Sequence, residues 1–163
     1  MKAIKLFVMD VDGTLTDGKI HIGQDGEIFK SFSVKDGHGI NGILKKQGVI
    51  PVILTARKST IVENRARELD LSEIYQGCKD KKTKLLEIAQ NYGISPDENG
   101  ILQEVAYVGD DIPDLSCMEI CKFRGCPQDA ADEVKSICEF ISSKKGGDGA
   151  VREFIEWLVK TQN

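Results

Sequence analysis

The stretch KLFVMDVDGTLTDG, residues 5–18, runs from four apolar residues into two aspartates, Asp10 and Asp12, and then into glycine and threonine. A short apolar run bounded by turn residues reads as a buried strand, and carboxylates at its mouth need a reason, because burial penalises charge. In an open parallel sheet, ligands sit outside the carboxyl ends of the strands, so a residue just past such an end faces the site. Asp10 holds that position after the first strand.

The rest of the chain supplies the sheet. Apolar, β-branched runs occur at Ile4–Met9, Ile50–Leu54 and Val105–Val108, with weaker ones around Ile74 and Phe123. Helix-like stretches lie between and after them, at Ile40–Gln47, Ser59–Leu69, Lys81–Tyr92, Asp129–Ile137 and Ala150–Val159. This alternation predicts βαβ units and an α/β fold, a doubly wound parallel sheet covered on both faces. Ser59 is the expected N-cap of its helix, and Gly48 and Gly93 the expected C-terminal glycines of theirs. One segment breaks the pattern. KIHI and EIFKSFSV, placed around GQDG, alternate apolar and polar residues and predict a β-hairpin inserted at about residues 19–33.

Composition narrows the function classes. A chain of 163 residues with 40% hydrophobic content predicts one domain, residues 1–163, with one sizeable core. A formal net charge of -4 argues against nucleic acid as a partner, since nucleic-acid binders carry concentrated basic patches. Neither a signal peptide nor a membrane span is legible, because Asp10 cuts the first apolar run, so the expectation is a cytoplasmic protein with no membrane partner. Five cysteines suit reduced thiols, and Cys117, Cys121 and Cys126 lack zinc-knuckle spacing and read as small buried side chains.

Three segments converge on the carboxyl edge of the predicted sheet: Asp10, then Thr55 after IPVIL, then Asp110 and Asp111 after VAYVG. Crowded carboxylates are costly unless a cation neutralises them, and hard oxygen ligands with no histidine or cysteine nearby select Mg²⁺.

DVDGTLTDG, TAR with Thr55, KDKK with Lys81, and GDDIPD at 109–114 together resemble the four ordered motifs of the haloacid dehalogenase superfamily. TDG with its hairpin, YQG at 75–77 and GGDGAVREF at 146–154 are similar, more narrowly, to the capless 3-deoxy-D-manno-octulosonate 8-phosphate phosphatase group. The resemblance implies a Mg²⁺-dependent hydrolase of a phosphorylated sugar acid, with Asp10 as nucleophile and metal ligand. It makes Asp12 the general acid and base, ligating the metal through its backbone carbonyl. Asp110 completes the protein ligands, and Asp111 and Asp114 have supporting metal roles. Thr55 and Lys81 hold the phosphoryl oxygens, and the choice of Lys81 over Lys79, Lys82 or Lys84 rests on the resemblance alone. Thr55 also suits a helix cap and Asp114 a helix start.

Without a large cap domain, substrate selection falls to the hairpin, nearby loops or another subunit. Arg57 is the candidate for binding a sugar-acid carboxylate through its planar fork, and pairing with an acidic neighbour is its alternative. The motif reads TAR where the group more often has TGR. An N-acylneuraminate 9-phosphate or its deaminated analogue competes as substrate, and two other roles stand beside the enzyme: a phospho-accepting receiver domain and a partner domain of a sugar-acid cytidylyltransferase. A lysine that precedes the GDD segment argues against the receiver. The hairpin's Ile20, Ile22, Ile28, Phe29 and Phe32 cannot all be buried on a small domain, and the resemblance implies a homotetramer joined through such hairpins.

Overall fold

The computed structural model of the protein describes residues 3–162. β1 (Leu6–Met9) leads into a hairpin of β2 (His21–Gly23) and β3 (Gly26–Phe29), followed by a helical run that opens with α1 (Val34–His38). Then come β4 (Ile50–Leu54), α2 (Thr60–Glu68), β5 (Glu73–Tyr75), α3 (Lys81–Asn91), β6 (Leu102–Val108) and α4 (Ile112–Met118). β7 (Cys121–Cys126), α5 (Asp132–Ile137), β8 (Phe140–Ile141) and α6 (Ala150–Gln162) complete the chain. Six strands form one parallel sheet in the order β5-β4-β1-β6-β7-β8. The strands run outward on both sides of β1, so the order reverses between β1 and β6. A doubly wound sheet binds its ligand in the crevice at that reversal.

Strand β1 is buried on both faces because its side chains alternate between two cores. Phe7 and Met9 pack with Ile40, Leu44, Ile53 and Phe154, while Leu6 and Val8 pack with Leu54, Leu85, Ile88 and Tyr107. Burying each such side chain is worth roughly 1.5–3 kcal/mol, which fixes the strand that carries Asp10. Cys117, Cys121 and Cys126 lie in the second core as small buried side chains.

Three sequence expectations change. The helix expected at Ile40–Gln47 begins earlier, at Val34, where the Ser33 side chain accepts from the Lys35 amide. It widens into a π-helical turn at Gly39–Leu44 and tightens into a 3-10 turn at Lys45–Gln47, ending at Gly48 with φ 75°. The cause is the neighbouring α6: the buried Asp36 carboxylate accepts from the amides of Gly149 (3.3 Å) and Arg152 (2.8 Å), and a Cβ at Gly39 would lie 3.2 Å from Arg152 Cα. The hairpin is accordingly shorter than 19–33, with pairing confined to His21–Phe29. α4 and β8 were not legible in the sequence, since each is short and α4 opens on the polar, proline-containing run of the acidic motif.

Phe154 joins α6 to the sheet. Its ring lies 5.4 Å from Phe7, 5.6 Å from Phe140 and 5.8 Å from Trp157, over Gly125, where a Cβ would meet the ring at 2.6 Å. Phe154→Ala should lower stability by about 3–5 kcal/mol, read as an earlier urea-unfolding midpoint with an unchanged slope.

Candidate active site

Asp10 follows β1 directly, its amide donating to the Val108 carbonyl of β6 at 3.1 Å, so both walls of the crevice hold it. Lys81, the first residue of α3, is buried, and its Nζ donates to Asp10 Oδ1 at 2.7 Å and to Asp114 Oδ1 at 2.8 Å. Among the lysines of KDKK, Lys81 is the buried one and the one that reaches Asp10. Asp114 is the third residue of α4, and its Oδ1 also accepts from the Tyr107 hydroxyl at 2.8 Å. Its Oδ2 accepts from the Asp110 amide at 3.1 Å, which orients the loop after β6. Asp110 Oδ1 in turn accepts from Thr14 Oγ1 at 2.7 Å.

Asp10, Asp110 and Asp114 each offer a carboxylate oxygen, and these oxygens lie within 4.8 Å of one another. Asp111, expected to support the metal, instead caps a helix. It is exposed, and its carboxylate accepts from the Ile112 amide as the N-cap of α4. Asp114, the other residue expected in a supporting role, lies in the cluster. Asp12 turns its carboxylate away from the cluster, with Oδ1 bonded to Lys30 and Oδ2 3.7 Å from Arg57 Nε. Arg57 therefore has the acidic neighbour that its alternative reading required, though its side chain is 51% exposed and the contact is long. Thr55 is buried at the end of β4, its amide donating to the Tyr75 carbonyl at 2.9 Å. One open cleft is lined by Asp10, Asp12, Thr55, Arg57, Lys81 and Asp114, together with the loop that carries Asp111.

Burial raises Asp10 to about 6, with Asp114 adding to the rise and Lys81 offsetting part of it. Asp110 is raised to about 7, first by burial and then by Asp10 and Asp114, against the Thr14 hydrogen bond. Burial works against the Lys81 ammonium, but Asp10 and Asp114 outweigh it and raise its pKa, so it is charged at any ordinary pH. One ammonium is too little for three carboxylates. The oxygens are hard donors, and Gly13 leaves open the space they surround: it has φ 98°, and a Cβ there would lie 2.1 Å from Asp110 Oδ2. The carboxylate oxygens of Asp10, Asp110 and Asp114 are the hard donor set that suits a Mg²⁺ ion.

Four contributors escaped the sequence reading: Lys30, Glu27, Thr14 and Tyr107. Lys30 and Glu27 left a signal, an opposite-charge pair three residues apart at the end of a hairpin strand, and Thr14 is the threonine of the D-x-D-G-T motif.

A crevice at the sheet reversal, walled by Asp10, Thr55, Lys81 and the Asp110–Asp114 loop, defines the phosphohydrolase class built on a D-x-D-G-T strand end. No family model matches the chain. The chain is 35% identical over 159 residues to the 3-deoxy-D-manno-octulosonate 8-phosphate phosphatase KdsC of Escherichia coli K12, covering 98% of this chain and 81% of that protein. The structure of the same-named phosphatase from Moraxella catarrhalis, in complex with magnesium, phosphate and KDO, is 40% identical with a TM-score of 0.87, covering 96% of this chain and 86% of that one. The cobalt-bound phosphatase of Haemophilus influenzae is 33% identical with a TM-score of 0.88, covering 98% and 89%. The chain belongs to the 3-deoxy-D-manno-octulosonate 8-phosphate phosphatase family of the haloacid dehalogenase superfamily.

Because Asp110 is raised from 3.8 to about 7, the folded metal-free protein binds more protons than the unfolded chain between those values. Asp110 then favours folding below about pH 4, and its contribution is lost as pH rises through about 7. In excess chelator, Asp110→Asn should therefore be more stable than the wild type at pH 7.5, on the order of 1–2 kcal/mol, with the difference vanishing near pH 4.5. Thermal unfolding at the two pH values reads this directly.

Proposed function

We propose that the protein hydrolyses 3-deoxy-D-manno-octulosonate 8-phosphate with Mg²⁺ through an aspartyl-phosphate on Asp10. The observation that carries the reading is the Asp10–Lys81–Asp114 arrangement in the crevice between β1 and β6, in a chain of this family. The relatives named above bear the octulosonate name, which favours that substrate over an N-acylneuraminate 9-phosphate or its deaminated analogue. The intact motif set and family membership favour an enzyme over a receiver or a cytidylyltransferase partner domain.

Asp10 attacks phosphorus, the Asp10–phosphorus bond forms, and the bond to the sugar's O8 breaks. Asp12 delivers its proton to the departing alkoxide. Water then attacks the phosphoryl group while Asp12 takes its proton, phosphate leaves, and Asp10 is restored; splitting the hydrolysis in this way replaces one hard step by two easier ones. Lys81 places a fixed positive charge beside Asp10 and the transferring oxygens, and the Thr55 hydroxyl donates to another of them. Asp10, Asp110 and the Asp12 carbonyl would hold Mg²⁺, which would supply neutralisation of the charge on the phosphoryl oxygens. Arg57 at the open mouth of the cleft pairs the substrate's carboxylate.

Assembly belongs to the same reading. The hairpin exposes Ile22 by 71%, Ile28 by 61% and Phe29 by 47%, while Phe32 packs inward against the core. A marginal two-stranded ribbon with an apolar outer face gains stability by burial against copies of itself, which supports a homotetramer. No helix among the described residues is long and apolar enough to cross a membrane. A cytoplasmic enzyme with a small-molecule substrate, and neither nucleic acid nor membrane as partner, completes the proposal.

Phosphate release should be tested on the octulosonate 8-phosphate, a neuraminate 9-phosphate and a small neutral phosphate ester, with Mg²⁺ and with chelator. Turnover should require the metal and favour the first substrate; equal rates on all three would contradict the substrate assignment. Arg57→Ala should raise KM for the sugar acid about tenfold or more, the loss of one charge-assisted pair, and leave KM for the neutral ester nearly unchanged. Equal rises would place Arg57 in phosphate binding.

A further inference from the structure

The hairpin does more than present an apolar face. Neither of its strands pairs with the main sheet, yet Lys30, one residue past β3, has a side chain with 0% exposure. An ammonium is buried only where it is paired, and Lys30 is paired twice: Nζ donates to Asp12 Oδ1 and lies 2.8 Å from Glu27 Oε1. Glu27 Oε2 accepts from the Ser59 hydroxyl, and the Ser59 amide donates to Gln76 Oε1 at 2.8 Å. Ser59 has the extended backbone of an N-cap, φ -153° and ψ 126°, but spends its hydroxyl on Glu27 instead of on the first turn of α2. A polar chain thus runs from the start of α2 through Ser59, Glu27 and Lys30 to Asp12.

The chain has a consequence for Asp12. A surface aspartate after a strand rotates freely about two bonds, whereas here one carboxylate oxygen is held by Lys30 and the other is left on the side of Arg57, which lines the cleft. A hairpin that served only as a contact between copies would not need to bury a lysine against the strand-one motif.

We propose that Lys30 is a positioning residue that holds the carboxylate of Asp12 in the orientation for proton transfer, with Glu27 and Ser59 locking Lys30 in place. The hairpin is thereby a working part of the active site of its own chain. The inference rests on the assignment of Asp12 as general acid in the proposed function. Proton delivery matters for an alkoxide leaving group and little for a phenolate of low pKa, so orientation of Asp12 is read by comparing the two.

The test measures kcat/KM for the octulosonate 8-phosphate and for para-nitrophenyl phosphate, because this ratio reports steps up to departure of the leaving group. The proteins compared are the wild type, Lys30→Met, Lys30→Arg, Glu27→Gln and Asp12→Asn. Lys30→Met should lose ~10- to 100-fold on the sugar phosphate, part of the ~10² to 10⁴ that general acid catalysis supplies, and less than about fivefold on the aryl ester. Lys30→Arg should recover part of the loss, and Glu27→Gln should show a smaller loss with the same bias, which also covers the case of a Lys30→Met protein that does not fold. Equal losses on both esters in the Lys30 and Glu27 variants, beside a strong bias in Asp12→Asn, would make Lys30 a prop of the fold and overturn the inference. An Asp12→Asn protein without leaving-group bias would instead refute the acid role of Asp12, and the inference with it.

Discussion

The buried ammonium of Lys81 ties the elements of this active site together. Lys81 bonds Asp10 after β1 and Asp114 in α4, and through Asp114 it orients the loop that carries Asp110. Four elements, β1, β6, α3 and α4, therefore meet at one charge. Removing one partner of such a buried pair typically costs about 3–5 kcal/mol, because the remaining charge is left without compensation. The sheet order makes the meeting geometrically available, since the crevice opens where β1 and β6 part company. Burial first, and the neighbouring carboxylates second, raise the pKa values of Asp10 and Asp110, and the shortage of positive charge in the cluster suits it to a divalent cation.

The hairpin answers a different problem. The described residues include no large cap over the cleft, and the cleft is open on the side of Arg57. The hairpin leaves Ile22, Ile28 and Phe29 exposed and sends Lys30 to Asp12. A segment of nine residues, His21–Phe29, thus exposes an apolar surface and, through Glu27 and the residue just past the segment, also reaches the motif that follows β1.

Much of the site was legible in the sequence because it lies at strand ends. Asp10 and Thr55 follow an apolar run directly and Asp110 follows one after Gly109, and the position of such residues needs only the strand and the sheet class. Lys81 sits in a charge run that periodicity does not resolve, and the resemblance chose it; its contacts to Asp10 and Asp114 supply the physical reason. Asp111 and Asp114 were harder, because a helix start and a ligand pair use the same residue type, and only the direction of each side chain tells them apart. The sequence assigned Ser59 to a helix cap from its position before α2, and the backbone agrees, but the hydroxyl bonds Glu27, 32 residues earlier. Long-range polar pairs of this kind leave no periodic trace. The π-helical turn at Gly39–Leu44 likewise leaves no periodic trace, although Gly39, where α6 approaches, and Gly42, which packs against His38, lie within it.

The central claim is that Asp10 takes the phosphoryl group. It is tested most directly by acid-quenching the protein during turnover of an aryl phosphate with Mg²⁺ and mapping the phosphorylated peptide by mass spectrometry. The account predicts a phosphoryl group on the peptide containing Asp10, more of it in Asp12→Asn, where the base for hydrolysis is missing, and none in Asp10→Asn. A phosphoryl group on any other residue, or full turnover by Asp10→Asn, would contradict it.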